Sequence, residues 1–278
     1  LTLRGASREA TIIRAANSDT LNPGSGAGQE AGAPGLLGGR ALFLAQDSDL
    51  LELRDIALHN STLRTDGHSP QAETLYFSSR DGRLTVRNAH FLSEQDTLQL
   101  TGYAWFHKSL VEGNVDFIWG NNRAALFEDS EIRSIGDSAR PDSGGYIVQA
   151  RTIGAAEPGF VFLRSRLTRG AGPAGNVPAD GSAYLARSPG TANTWDNVAF
   201  IECTVGPHIA ADGWLRRPLP NPPQGGWREY GNRGPDGQAR SYGGLVLDQQ
   251  AADRFRVGDG CGGDVGVERD HRRRQRDI

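Results

Sequence analysis

Gln95-Asp96-Thr97-Leu98 and, a short interval later, Gly113-Asn114-Val115-Asp116-Phe117-Ile118-Trp119-Gly120 are the two stretches on which the reading of this chain turns. Each places an aspartate ahead of strand-forming residues, and the two aspartates are 20 residues apart. Working outward, a block of alternating apolar and polar residues recurs at Leu51 to Asp55, Leu84 to Asn88, Ala104 to Lys108, Ala125 to Asp129, Val161 to Ser165 and Ala199 to Cys203. Successive copies lie either about 20 residues apart or 33 to 38 apart. Period-two strands repeated on a coil of that length are what a β-solenoid requires, because each turn hides its apolar face only by stacking on the next. A barrel or sandwich would show turn signals every roughly 8 to 12 residues. An antiparallel sandwich with irregular loops is the alternative the repeats alone leave open.

The composition is consistent with this. The chain has 278 residues, 37 of them glycine, which suits a turn-rich β protein and not a helical bundle. Its 33 acidic and 30 basic residues leave a net charge of -3, so there is no electrostatic case for nucleic acid or a membrane surface as partner. No apolar run approaches the roughly 20 residues of a membrane span. Two cysteines, Cys203 and Cys261, make no disulfide framework, and Cys203 reads as a small core residue. No histidine falls in a metal-ligand spacing, and His107 reads as structural.

The expected organisation is one all-β solenoid domain over residues 1–248, its first coil lying upstream of Leu1, followed by a C-terminal segment over 249–278. Gly/Pro/Ala-rich insertions at Asn22 to Gly39 and Gly170 to Gly181 read as surface loops, which in solenoids often build the walls of a cleft. Gln249 to Val257 is compatible with a short helix. Gly258 to Ile278, glycine-rich and then arginine-rich, reads as a disordered tail.

On neighbouring rungs about 4.8 Å apart, Asp96 and Asp116 cannot both ionise easily. The usual outcome is one carboxyl that keeps its proton and one that gives it up, an acid and a nucleophile from one residue type. Gln71 precedes Gln95 by a little more than one coil, so the two amides would stand beside the carboxylates as N–H donors to an oxyanion. A structural ladder of stacked polar side chains is the alternative for any one of these residues taken singly.

Gln71-Ala72, Gln95-Asp96-Thr97-Leu98, Gly113 to Gly120, Tyr184-Leu185-Ala186-Arg187 and Glu229-Tyr230-Gly231-Asn232 together resemble the ordered motifs of the pectin methylesterases. The similarity runs from about Leu1 to Asp248. It implies a right-handed parallel β-helix and a monomeric, secreted or cell-envelope hydrolase that removes methyl esters from the galacturonate units of pectin, with neither a metal nor an organic cofactor. By that resemblance Asp116 is the nucleophile, Asp96 the acid and then base, Gln71 and Gln95 the oxyanion donors, and Arg187 the cation that holds the nucleophile ionised. Trp119, Phe117, Tyr184 and Trp195 are the candidates for substrate contact. Two positions depart from the family pattern. Arg187-Ser188-Pro189-Gly190 lacks the family's tryptophan two residues after the arginine, for which Trp195 is the candidate substitute, and Trp119 stands where phenylalanine is usual. The competing readings are a β-helix esterase or thioesterase acting on another acyl group, a polygalacturonase or pectate lyase, and a non-catalytic carbohydrate-binding solenoid.

Overall fold

The computed structural model describes residues 1–22, 39–66, 69–215 and 226–255. Among these, three sheets of nine, seven and seven short strands run the length of the molecule, and every pairing between strands is parallel. The chain visits the sheets in turn. In the central coils, for example, it passes from Gly102–His107 in the nine-stranded sheet to Leu110–Gly113 in the second and Val115–Gly120 in the third. The next coil repeats the course with Asn122–Glu128, Glu131–Ile135 and Tyr146–Ala150. This is the parallel β-helix that the repeat spacing predicts.

Each coil contributes inward side chains that rest on the same positions of the next. Phe106, Phe127, Phe162 and Phe200 form a column of nearly parallel rings, with centroids 4.6, 4.9 and 4.5 Å apart, sealed from solvent in the core. Stacked identical residues bury both ring faces at rung spacing, which a single coil could not do. A polar ladder runs beside them. The N–H groups of Ala89, Ser109 and Ser130 donate to the hydroxyl oxygens of Ser109, Ser130 and Ser165, one rung on each time, at 3.2 Å. Cys203 follows Ser165 in this series. It is buried, its thiol is free, and burial pushes its pKa up to about 12. Cys261 lies outside the described residues.

The strand register corrects the alignment of the last two sequence blocks. Glu128 pairs with Leu163, and Leu163 with Ile201, so the equivalent blocks are Phe160 to Arg164 and Val198 to Glu202. Matching charged residues to charged residues puts both one position late. The outward position is apolar here because the outer face of the nine-stranded sheet is itself covered: Leu126, Val161, Leu163, Ala199 and Ile201 pack with Ala252. Ala252 belongs to the helix Gln249–Asp253, capped by the Asp248 side chain, within the stretch expected to be helical. In the corrected register Asp55, Asn88, Lys108, Asp129, Arg164 and Glu202 are equivalent, and each turns the corner out of its strand at φ between 48° and 53°. The Gly170 to Gly181 insertion is a surface turn joining the second sheet to the third. The insertion at residues 23–38 and the tail beyond 255 lie outside the described residues.

Candidate active site

The site forms on the outer face of the third sheet. Gln95 bridges Val115 and Leu98 pairs with Ile118, so Asp96 and Asp116 occupy successive rungs. The same register carried back from Leu98 to Leu75 sets Glu73 on the rung before Asp96. Both aspartates have left-handed backbones, at φ 61° and 48°, a conformation that aspartate tolerates better than most residues. At Asp116 the turn shifts the register between Val115 and Ile118 and breaks the in–out alternation of the strand. Phe117 and Ile118 therefore both point into the core, while Asp116 and Trp119 do not join it. Phe117, expected against the substrate, is fully buried and unavailable for that role.

Asp116 is 5 % exposed and receives three donors. Arg187 Nε donates to Oδ1 at 2.7 Å, Arg187 Nη2 donates to Oδ2, and Gln149 Nε2 donates to Oδ2 at 3.0 Å. The guanidinium thus grips both oxygens, a bidentate geometry that fixes orientation as well as charge. Gln149 is in turn held by Arg151, whose Nε and Nη2 donate to its Oε1 at 3.1 and 2.7 Å.

Asp96 is equally buried, at 3 % exposed, but its Oδ2 has no hydrogen-bond partner among the described residues. Burial, reinforced by the charges of Glu73 and Asp116, raises its pKa well above the ordinary aspartate value. The nearest cation contact is Arg40 Nη2, 3.9 Å from Oδ2. Arg40 is committed elsewhere, with Nε 2.8 Å and Nη2 2.6 Å from Glu73 Oε1 and Nη1 donating to Gln71 Oε1. With the oxygen of Gln71 engaged by Arg40, what its amide has left to offer is N–H. Gln95 lies half-buried alongside.

Trp119 is 4 % exposed, with the Arg40 guanidinium 5.7 Å from its ring centroid and that of Arg151 5.0 Å away. Tyr184 is half-buried and stacks on Tyr146 at 5.9 Å, and Arg187 lies over the Tyr146 ring at 4.8 Å. Tyr184 also lines an open groove of about 550 Å³ with Trp214, Leu215 and Tyr242. Trp195 is half-buried and clipped to Thr152, the residue after Arg151, by reciprocal backbone hydrogen bonds of 2.9 Å.

Four expected residues are thus brought to one face, Asp116 with Arg187 and Asp96 with Gln71 through Arg40, and Gln95 adjoins Asp96 in the chain. Arg40, Glu73, Gln149 and Arg151 join them without having been singled out from the sequence. Gln149 and Arg151 had a signal, since they continue the outward alternation of a strand. Glu73, two residues after Gln71, had the same one. Arg40 follows a glycine-rich insertion and had none.

The sequence model of the pectinesterase family matches residues 40–260. Among curated relatives, the probable pectinesterase/pectinesterase inhibitor 64 of Arabidopsis thaliana is 27 % identical over 66 % of this chain and 30 % of its own length. A pectinesterase of Aspergillus niger is 28 % identical over 52 % of this chain and 42 % of its own length. The matches thus span less than half the length of either relative. Among solved structures, pectin methylesterase PemA from Erwinia chrysanthemi superposes with a TM-score of 0.70 at 22 % identity, over 92 % of this chain and 80 % of that one. That similarity shows the β-helix fold.

Proposed function

The chain belongs to the pectinesterase family, and from that premise we propose that it is a carboxylic ester hydrolase that demethylates pectin through an Asp116 acyl-enzyme. The observation that carries this reading is the pairing of two buried carboxyl groups on successive rungs, one gripped by three donors and the other with an oxygen that meets no donor among the described residues. Such a pair divides into a nucleophile and an acid at the same pH.

In this scheme Asp116 attacks the carbonyl carbon of a methylated galacturonate, and the C=O electrons pass to an oxyanion that the amide N–H groups of Gln71 and Gln95 stabilise. Collapse breaks the C–OCH₃ bond, Asp96 gives its proton to the departing oxygen, and methanol leaves an anhydride between Asp116 and the sugar. Asp96, now a carboxylate, takes a proton from water as the water attacks the anhydride. The galacturonate is released, Asp116 is again a carboxylate and Asp96 is again an acid. Arg187 and Gln149 keep the Asp116 oxygens aligned throughout, which spares the reorganisation an exposed carboxylate would undergo.

Tyr146 and Tyr184, stacked beside Arg187, supply an aromatic wall where the family's tryptophan is missing, and Trp195, paired through its backbone with Thr152, is a further candidate. That altered wall favours one rival, the same chemistry on a different acyl ester. Methanol release from highly methylated pectin, measured beside hydrolysis of short-chain acyl esters, decides between them. Turnover of the short esters with none of pectin would reject the pectin assignment.

A further inference from the structure

Three carboxyl groups, not two, occupy successive rungs of the site: Glu73, Asp96 and Asp116. Glu73 has no solvent exposure. One of its oxygens, Oε1, is taken by Arg40 at 2.6 to 2.8 Å, while the other, Oε2, is buried with no hydrogen-bond partner among the described residues. The same is true of Asp96 Oδ2 on the next rung, and one guanidinium, Arg40, reaches towards both carboxyls. Two orphaned, buried carboxyl oxygens on facing rungs cost several kcal/mol as bare anions, and each lacks only a donor. A single proton supplies it.

We propose that Glu73, anchored by Arg40, shares one proton with Asp96 and is thereby the positioning residue that keeps Asp96 loaded as the acid. This rests on the esterase reading of the site for its consequence in catalysis, though not for its chemistry. The pair carries one negative charge, which Arg40 balances, so the proton is retained without leaving net charge in the wall. Burial acts on both groups in the same direction, raising each, and Asp96 is raised further by Glu73 and by Asp116. The charged groups facing Asp96 are Glu73 from the preceding rung, Asp116 from the following one, Arg40 from the segment ahead of Phe43–Gln46, Arg151 beyond Tyr146–Ala150, and Arg187 at the end of Tyr184–Arg187. Asp19 faces the Arg40–Glu73 end, where its carboxylate accepts from the Gln71 N–H at 3.0 Å.

The first test needs no substitution. Carbon-13 NMR of the side-chain carboxyls in the full chain, with Asp96→Asn used for assignment, should show Glu73 and Asp96 titrating in two steps with common midpoints, as coupled groups do. Independent single-step titrations would overturn the proposal. The second test is Glu73→Gln, whose amide still meets Arg40 and donates an N–H to Asp96. The Asp96 midpoint should fall by about one pH unit or more, and the alkaline limb of methanol release should fall with it. Glu73→Asp, which restores the charge, should recover part of that shift. An Asp96 midpoint unmoved in a folded Glu73→Gln protein would also overturn the proposal. If the unaltered chain releases no methanol but the two carboxyls still titrate as a pair, the esterase reading falls and the shared proton stands.

Discussion

Asp96 and Asp116 stand on successive rungs of one sheet in opposite electrical company: three N–H donors converge on Asp116, and Asp96 Oδ2 has none among the described residues. Neither backbone is an ordinary strand residue, both lying in the left-handed region. The solenoid supplies the spacing, and the neighbours supply the difference between the two groups.

Replacing Asp116 with asparagine removes the carboxylate proposed to attack the ester, at nearly constant volume. Methanol release should drop by about 10⁴-fold or more, with the far-ultraviolet circular dichroism unchanged. Activity within tenfold of the unaltered chain would remove Asp116 from the nucleophile's role.

Asp96→Asn should cost about 10² to 10⁴ in turnover, the range for loss of general acid–base help. Esters whose leaving alcohol is already acidic need less protonation, so the deficit should shrink on an aryl ester. An equal deficit on both substrates would argue against Asp96 as the acid.

The same variant should change stability in a pH-dependent way. A carboxyl whose pKa is raised in the folded state binds its proton more tightly there than in the unfolded chain, so ionising it opposes folding. Below the ordinary aspartate pKa both states are protonated and the penalty is absent. It grows as pH rises through that value and is complete above the raised folded-state pKa. The substituted amide, which never ionises, escapes it. The melting temperature of Asp96→Asn should therefore exceed that of the unaltered chain at neutral and alkaline pH, and the two should converge near pH 4.

Arg187→Lys keeps the charge and loses the fork on Asp116. A drop in turnover of about 10²-fold is expected from the loosened geometry. Gln149→Leu, which removes one donor from Asp116 and the acceptor that holds Arg151, should reduce turnover as well, with the fold intact. Wild-type rates in both variants would make their contacts incidental.

Phe127 sits mid-column between Phe106 and Phe162, with no exposure. Phe127→Ala should cost about 3 to 5 kcal/mol in urea unfolding, the range for a truncated core aromatic. A loss under about 1 kcal/mol would mean that the column closes over the gap.

The solenoid and the aspartate pair were legible because both depend on spacing, and spacing survives in a one-dimensional string. The 20-residue interval between Asp96 and Asp116 needed only a coil length to become a contact. Register at Arg164 and Glu202 was not legible, because an outer face buried under Ala252 reverses the usual rule that outward residues are polar. Phe117 was expected against the substrate although alternation from Asp116 sends it inward, where it lies; what the left-handed turn at Asp116 overturns is the alternation beyond it, which would have put Ile118 on the face of Asp116 and Trp119 on that of Phe117. Arg40 stands just ahead of Phe43–Gln46, which pairs with Leu75–Ser78, so it lies one coil before Glu73, but that coil takes 32 residues from Phe43 to Leu75 and the 20-residue spacing gave no sign of it.

The left-handed corners after the strands of the nine-stranded sheet bear on how such a chain diversifies. Between equivalent corners the path is as short as 20 residues, from Asn88 to Lys108, and as long as 38, from Arg164 to Glu202, yet each coil re-enters the stack in step. The frame reads only where a coil turns, and is indifferent to how far the chain wandered in between. If the proposed esterase reading holds, lengthening or trimming an excursion beside the groove would change what the groove admits while the rungs of Asp96 and Asp116 stay in place, so substrate range and catalysis could evolve on separate parts of the same coil.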